Sequence, residues 1–519
     1  MGDVCIIGAG AAGSVLALRL ARRGVHRVTV IESGPRYSEE QKEKLFLAAR
    51  NGRLEGNPYR LSEPAIESYR NDGAVDLPLN YERSRGLGGT TLFWLADTPR
   101  MLPDDFRMRS RFGVAEDWPF GYEELEPFYA QAEVEIGVAG AADNPFAGPR
   151  STPYPMPPIP FSYADKIIKK ATDRLGYDLH HAPQARNSIP FGGRSQCLAC
   201  SFCMVCPSGA KATFDRTHAL PAEQTGRARF VTDATVQRLE LDGNGRVRRA
   251  IYAGLDRVEH AQEADVFVIA SGGIETPRLL LLSACAQFPD GLANRSGAVG
   301  RHFMNHPVAN AVGHFEESLY PFRVLFESSE SFQFYATETR GETAAFLWNV
   351  NNTGGARPSD YAATGLWGDA LLARIESEFG HVGSLSAGID QLPDERNRIQ
   401  LDPHGVDYFG LPIPLITYGY DDYTQRGLER AAQVMTEVLV EAGATRAARS
   451  GNWWPGHHLG TVRAGDDPMR SVVDRNLRTH DVPNLYLCTT GVWATAGCAS
   501  PTLTLSAVAL RLAEHLSGG

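Results

Sequence analysis

The chain has 519 residues, more than one compact core usually holds, so we expect at least two domains. Hydrophobic residues make up 43% and charged residues 22%, which is ordinary for a globular enzyme. The net charge of −10 argues against nucleic acid as a partner and leaves no basic patch for a membrane surface. Since no apolar run is long enough to cross a bilayer, the sequence predicts no membrane span.

The first predicted element is a buried strand that leads into a glycine-rich turn. The turn has the spacing G-x-G-x-x-G and contains Gly8, Gly10 and Gly13. A helical stretch follows, and the next apolar strand ends on Glu32. Glycines at this spacing let the backbone approach a pyrophosphate, and Glu32 is placed to accept from a ribose hydroxyl. The unit predicts a dinucleotide site; a plain strand–helix–strand unit is the alternative.

The position of this strand also bears on the location of the protein. Because the strand begins at the fourth residue, we expect no signal peptide and a cytoplasmic location. Export of the folded chain with a signal-bearing partner is the alternative.

The later elements alternate between helices and strands. Periodicity predicts helices at 123–138, 276–282, 424–443 and 503–516. Apolar runs predict strands at 230–241, 247–253, 266–270 and 484–487, the first two forming a hairpin. Residues 310–420 alternate short β-rich stretches with turns, which predicts an antiparallel sheet inserted between the dinucleotide-binding elements.

Four cysteines fall within ten residues of the middle of the chain. They are Cys197, Cys200, Cys203 and Cys206. Thiols this dense in a cytosolic chain suggest metal or redox chemistry before structural disulfides. Successive C-x-x-C steps ending in Cys-Pro resemble the loop around an iron–sulfur cluster, whereas zinc sites usually separate their cysteine pairs. Reduced thiols without metal are the alternative.

Four separated motifs resemble those of glucose–methanol–choline (GMC) flavin oxidoreductases. They are the first glycine turn with Glu32, the segment Gly86 to Trp94, the segment Ala270 to Pro277, and a pair formed by His457 to Thr461 and Ala499 to Thr504. The chain is most similar to the sugar-oxidising branch, which includes pyranose oxidases and bacterial sugar dehydrogenases.

The resemblance implies an α/β fold with a discontinuous Rossmann-like FAD-binding domain and an antiparallel-sheet substrate-binding domain. The FAD-binding domain would comprise 1–155, 196–308 and 452–519, and the substrate-binding domain 156–195 and 309–451.

The resemblance further implies FAD as the cofactor. The residues that it assigns to FAD are Gly8, Gly10, Gly13, Glu32, Gly88, Gly89, Thr90, Thr91, Val236, Ser271, Gly491, Val492 and Thr502. Several relatives attach FAD covalently through a histidine directly before the position of Trp94, where this chain has Phe93. A phenyl ring cannot form that bond, so we expect dissociable FAD.

His457 and Ser500 stand at the positions of the family's catalytic pair. An imidazole titrates in the range needed to take a hydroxyl proton, and the resemblance puts His457 at the flavin face. The adjacent His458 is expected to have a structural role. Relatives carry Asn or His in place of Ser500, and a serine cannot act as a base near neutral pH. Because Ser500 precedes Pro501 and a helix, capping and substrate orientation both stay open.

Together these features predict FAD-dependent oxidation of a CH–OH group of a sugar, glycoside or related alcohol by hydride transfer to flavin N5. A cluster at the cysteines would pass electrons to an acceptor protein, as in a dehydrogenase. Without it, an oxygen-using oxidase that produces peroxide is the main alternative. A non-catalytic flavoprotein subunit of a redox complex is the second.

Overall fold

Strands and helices alternate along most of the chain. The structure is a computed structural model, and it describes residues 2–24, 26–50, 57–59, 64–321, 323, 325–352, 356–453 and 456–518. The described strands are β1 (Gly2–Ile7), β2 (His26–Ile31), β3 (Arg70–Asn71), β4 (His180–His181), β5 (Ala228–Val231), β6 (Thr235–Leu241), β7 (Val247–Ala253), β8 (Glu259–Glu263), β9 (Val266–Ile269), β10 (Val308–His314), β11 (Glu327–Ser331), β12 (Phe346–Asn351), β13 (Val382–Ile389), β14 (Arg398–Val406), β15 (Pro412–Thr417), β16 (Arg446–Trp453) and β17 (Leu485–Leu487). The described α-helices are α1 (Ala11–Arg23), α2 (Glu39–Arg50), α3 (Leu79–Glu82), α4 (Met108–Phe112), α5 (Tyr122–Ile136), α6 (Tyr163–Leu175), α7 (Leu220–Gln224), α8 (Gly272–Leu282), α9 (Pro358–Ala362), α10 (Gly368–Glu378), α11 (Asp422–Glu441) and α12 (Pro501–Leu516).

A parallel sheet joins the two ends of the chain to its middle. Its strand order is β17-β9-β1-β2-β5. Helix α1 packs on this sheet against β1, β2 and β5, and α12 packs on α1. Ile7 at the end of β1 pairs with Ile31 of β2 and with Ile269 of β9. The carboxyl ends of β1, β2, β9 and β17 therefore meet at one edge, where ligands bind in open α/β sheets.

Two predicted boundaries in this region are wrong. The sequence predicts 230–241 as one hairpin strand, but Phe230 belongs to β5, which pairs with β2 in the parallel sheet. The hairpin strand β6 begins only at Thr235, after a turn in which Asp233 has φ of 54°. Helix α8 begins at Gly272, four residues before the predicted start, because the glycine turn leads directly into the helix.

A second sheet has six strands, paired antiparallel. Its order is β16-β10-β13-β12-β11-β4, so the antiparallel sheet predicted within 310–420 is confirmed. Strand β13 alternates buried and half-buried residues, and α11 packs its apolar side on the sheet. The fold is therefore α/β, as expected. Among the described helices, none is long and apolar enough to cross a membrane.

Candidate active site

A cavity of about 390 Å³ lies at the carboxyl edge of the parallel sheet. Residues directly after four of the strands line it, namely Gly8, Glu32, Ala270 and Cys488. The same cavity is lined by His457 and Ser500, which are far apart in sequence. The fold thus gathers the motif segments around one space.

The first glycine turn is shaped by close backbone contacts. A Cβ on Gly13 would lie 1.9 Å from the carbonyl oxygen of Gly8, so helix α1 can pack on β1 only with glycine there. Gly8 has φ of 105°, and its Cβ would lie 2.6 Å from the carbonyl oxygen of Ala270. A Cβ on Gly10, by contrast, would meet no atom within 4 Å. Gly10 therefore leaves open space where the N-terminus of α1 faces the cavity.

A second glycine turn packs against the first. The amide of Gly88 donates to the carbonyl of Ala9 at 2.9 Å, and a Cβ on Gly89 would lie 2.8 Å from Gly10 Cα. Gly89 opens a short 3₁₀ helix whose residues Thr90 and Thr91 also line the cavity. Two glycine turns and a helix N-terminus thus offer backbone N–H groups and free space, which fits the pyrophosphate of a dinucleotide such as FAD.

Glu32 ties the two turns together. Its carboxylate accepts backbone N–H bonds from Ala9 at 2.8 Å, Gly34 at 2.9 Å and Gly86 at 3.0 Å. Burial raises the pKa of Glu32 although these three amides act to lower it. The carboxylate therefore has a structural role that the sequence did not reveal, and its predicted bond to a ribose stays a prediction.

The residues that the resemblance assigns to FAD divide into two groups. Those that line the cavity are Gly8, Gly10, Glu32, Gly89, Thr90, Thr91, Val236, Ser271 and Thr502. Those that lie behind the lining are Gly13, Gly88, Gly491 and Val492. Gly13 and Gly88 act on the cavity through the turns that they make.

His457 is held by a second histidine, His306. The two Nδ1 atoms lie 2.9 Å apart, and the rings are nearly perpendicular at 86°. On its other side, His306 Nε2 lies 3.3 Å from the carbonyl oxygen of Ala496. The side chain of Asn305 accepts the backbone N–H of both histidines, at 3.0 Å for His457 and 2.9 Å for His306.

These contacts determine which nitrogen of His457 carries the proton. A carbonyl only accepts, so Nε2 of His306 donates to Ala496 and, in the neutral ring, Nδ1 of His306 is an acceptor. His457 Nδ1 must then donate to it, which leaves Nε2 of neutral His457 with a free lone pair. Burial lowers the pKa of His306 to about 4. Burial and the neighbouring His306 and His458 hold the pKa of His457 well below its ordinary value, so both rings are neutral near neutral pH.

His458 has a different set of contacts. Its Nε2 lies 3.1 Å from Glu82 Oε2, and both side chains are buried. Its carbonyl accepts from the hydroxyl of Thr490 at 2.6 Å and would lie 2.1 Å from a Cβ on Gly273. His458 thus joins the loop of His457 to α8 and to the loop after β17, which agrees with a structural role.

Ser500 does not cap α12 with its side chain. The residue stands at the N-cap position with Pro501 after it, but its hydroxyl makes no capping bond, so the capping interpretation is wrong. Instead Ser500 Oγ donates to Asp97 Oδ2 at 3.1 Å. Asp97 is almost fully buried, lines the same cavity and is bonded on its other oxygen by Gln184 at 3.4 Å.

Three residues of this site were missed by sequence reasoning. His306 stands before Pro307 in a segment without a glycine motif, and Glu327 begins β11 outside all four motifs. Asp97 offered a signal, since it is a carboxylate within an apolar stretch that follows the second glycine turn. Their roles depend on neighbours from distant segments, which no local pattern specifies.

The four clustered cysteines lie in a loop next to the cavity. In the described residues, no three Cys, His, Asp or Glu side chains converge as a metal ion would require. The buried ammonium of Lys211 ties this loop to the cavity lining, donating to the carbonyls of Met204 at 3.3 Å, Leu92 at 3.1 Å and Trp94 at 3.0 Å. As placed, the thiols do not form a cluster site, and the iron–sulfur cluster stays a prediction.

Comparison with known proteins shows the family and the fold of the chain. Family models described as GMC oxidoreductase match residues 8–308 and 393–509. The chain is 34% identical to the fructose dehydrogenase large subunit of Gluconobacter japonicus, over 99% of this chain and 97% of that protein. It is 31% identical to paromamine 6'-oxidase of Streptomyces fradiae, over 99% of this chain and 92% of that protein. A crystal structure of formate oxidase has the same fold, with a TM-score of 0.67 at 14% identity, covering 100% of this chain and 98% of that chain.

Proposed function

Because the chain belongs to the GMC oxidoreductase family, we propose that it oxidises a CH–OH group of a sugar or related alcohol with His457 as the base. The observation that carries the role of His457 is its pairing with His306, which leaves Nε2 free in a cavity that also contains the glycine turns. A neutral imidazole with a free nitrogen can take the hydroxyl proton as the carbon loses its hydride. When bound, FAD supplies the hydride acceptor.

His306 prepares His457 for this step without meeting the substrate itself. It fixes the ring of His457 and keeps the proton on Nδ1. When Nε2 takes a proton, Nδ1 remains a donor to the neutral His306, so the bond between the rings is retained. Ser500 supplies a hydroxyl on the same cavity, and its bond to Asp97 leaves the oxygen lone pairs for a substrate hydroxyl.

The binding of FAD follows from the glycine turns. Gly10 and Gly89 provide the close approach, and Thr90 and Thr91 line the cavity beside them. Phe93 also lines the cavity and offers no nucleophile, which supports non-covalent binding. Acid precipitation of the holoprotein should release yellow FAD into the supernatant. Colour that stays with the pellet would show a covalent link through another residue.

The central test is anaerobic reduction of the bound flavin. The purified holoprotein is mixed with a panel of sugars, glycosides and simple alcohols, and flavin absorbance is followed by stopped flow. We expect rapid bleaching by at least one polyol, with one equivalent of the carbonyl product per flavin. A flavin that none of these alcohols bleaches, but that a reduced redox protein does, would favour the non-catalytic subunit.

The electron acceptor forms a separate part of the proposal. The relative from Gluconobacter japonicus is named a large subunit, which supports an electron-accepting partner protein here. Iron and acid-labile sulfide in protein prepared without oxygen would support a cluster at the four cysteines and a dehydrogenase. Absence of both, together with peroxide formation in air, would favour an oxidase. The cytoplasmic location likewise stays a prediction, which cell fractionation can test.

A further inference from the structure

Two carboxyl groups line the cavity on the side of Ser500. Asp97 is held by Ser500, while Glu327 opens β11 and faces the same space. The Glu327 carboxylate makes no hydrogen bond with any described residue, and none of the described cations lies within ion-pair distance of it. An acceptor group that lines a cavity without a partner is available to a ligand.

The cations of the cavity do not neutralise these carboxyls. Among the described residues, the arginines that line the cavity are Arg83, Arg85 and Arg278. Each is already paired with a carboxylate, as Arg83 is with Glu67 at 3.0 Å, Arg85 with Glu67 at 2.7 Å and Arg278 with Asp407 at 2.6 Å. The positive charge of these arginines is therefore balanced by carboxylates other than Asp97 and Glu327.

The charged groups packed behind Asp97 and Glu327 also favour the binding of a cation in the cavity. Arg186 is buried near Glu327, where its charge acts to lower the pKa of that carboxyl, and its guanidinium donates to the carbonyl of Leu95. His180 lies 3.5 Å from Glu330, the next acidic residue along β11. Burial raises the pKa of Asp97, and the charges of Glu330 and Glu327 raise it further. Burial likewise raises the pKa of Glu327 despite the nearby Arg186. Against the effect of burial, Asp178 and Glu330 raise the pKa of His180 to about 9, so this imidazole is a cation that these two carboxyls share. On the cavity wall formed by Ser500, Asp97 and Glu327, Arg186 is then, among the described residues, the nearby cation for two carboxyls.

We propose that Asp97 and Glu327 select a substrate alcohol that also carries a protonated amine, such as an amino sugar. This inference rests on the function proposed above. An ammonium group supplies both the hydrogen-bond donors and the positive charge that the wall lacks, whereas a neutral hydroxyl supplies only a donor. Ser500 and His457 would then receive the hydroxyl to be oxidised, while the amine lies against Glu327.

Three sugars with the same ring distinguish the effect of ligand charge on binding from the effect of ligand shape. They are D-glucosamine, D-glucose and N-acetyl-D-glucosamine, which carry an ammonium, a hydroxyl and a neutral amide at one carbon. Their dissociation constants are measured by calorimetry with holoprotein whose flavin has been reduced beforehand, so that no oxidation competes. We expect D-glucosamine to bind at least about tenfold more tightly than the other two, since losing one partner of a desolvated charge pair is costly.

Glu327→Gln removes the charge and keeps the size of the side chain. We expect this variant to lose the preference for D-glucosamine while retaining its FAD and its melting temperature, because the Glu327 carboxylate has no hydrogen bond or ion pair with the described residues to lose and the backbone pairing of β11 is unchanged. Glu316→Gln, which changes an exposed carboxylate, is the matched control and should keep the preference.

Two results would overturn the proposal. One is binding of the three ligands with equal affinity or no binding at all. The other is an equal loss for glucose and glucosamine in Glu327→Gln, which would show that the wall recognises hydroxyls. Rapid flavin reduction by neutral sugars without any preference for the amine would contradict this inference alone. Preference for the amine without flavin reduction by any alcohol would contradict the proposed function instead.

Discussion

The glycine turns and the wall around Ser500 are two sides of one cavity, built in different ways. At the turns, backbone meets backbone, and Gly8, Gly13 and Gly89 each exclude a side chain. At the wall, side chains from distant segments meet, such as Ser500 with Asp97 and His457 with His306. At these three glycines the fold admits no side chain. The wall can change its chemistry while the fold is kept, so it is where substrate preference can vary.

The largest effect is expected from an alanine in the first glycine turn. Gly13→Ala places a Cβ at 1.9 Å from the carbonyl of Gly8, which forces α1 away from β1. We expect little soluble folded protein and no bound FAD, measured by circular dichroism and flavin absorbance.

Gly10→Ala is the matched variant, because its Cβ meets no protein atom. We expect it to fold with an unchanged melting temperature of the apoprotein but to lose most of its FAD affinity, since the methyl group occupies the cofactor space. Normal FAD content in Gly10→Ala would contradict the placement of the cofactor at this turn.

The next largest effect concerns the base. His457→Ala should slow flavin reduction by alcohol by about a hundred- to ten-thousand-fold, the usual contribution of a general base. FAD content should not change, because the glycine turns are untouched. Stopped-flow reduction at saturating substrate measures the effect, and a variant close to wild type would remove His457 from the mechanism.

His306 should have a smaller effect that depends on the substituent. His306→Leu removes the acceptor of His457 Nδ1, so the base loses its orientation, and reduction should slow by about a hundredfold. His306→Asn offers an amide oxygen as acceptor and should recover part of the rate. Equal loss in both variants would mean that His306 acts only through packing.

The pH dependence of flavin reduction tests the neutral state of His457. Only the neutral ring can accept a proton, and its pKa lies well below the ordinary value. The protonated, inactive form therefore accumulates only at more acidic pH. The limiting rate should not fall at about pH 6.5, the usual midpoint for histidine, but only below it. A midpoint near 6.5 that disappears in His457→Ala would contradict the neutral ring.

The smallest effect on stability is expected at Ser500. A lost N-cap typically costs about 0.5–2 kcal/mol, but this hydroxyl makes no capping bond. Ser500→Ala should thus change the free energy of unfolding by less than about 0.5 kcal/mol from capping, while flavin reduction slows because the substrate hydroxyl loses a partner. Ser500→Asn should stay folded and active. Denaturant titration beside stopped-flow kinetics separates the two effects.

The sequence by itself determined the elements whose contacts are local. The strand, glycine turn and helix from Gly2 to Arg23 follow from spacing, since only glycine permits those backbone approaches. Periodicity likewise placed α5, α11 and α12 within two residues of their observed starts and ends. The predicted boundaries are wrong where pairing with a distant strand decides the structure. Phe230, for example, belongs to β5, which pairs with β2 in the parallel sheet.

Only the tertiary structure decided the chemistry of the substrate side. The local sequence around Ser500 predicts a helix cap, yet its hydroxyl donates to Asp97, which is 403 positions earlier in the chain. His457 was visible in its motif, but the state of its ring depends on His306, which is 151 positions away. Hydrogen bonds and charges act through space over a few ångströms, so their partners are set by how distant segments of the chain come together. A sequence pattern records only neighbours along the chain, which is why it specified the cofactor turns and not the wall opposite them.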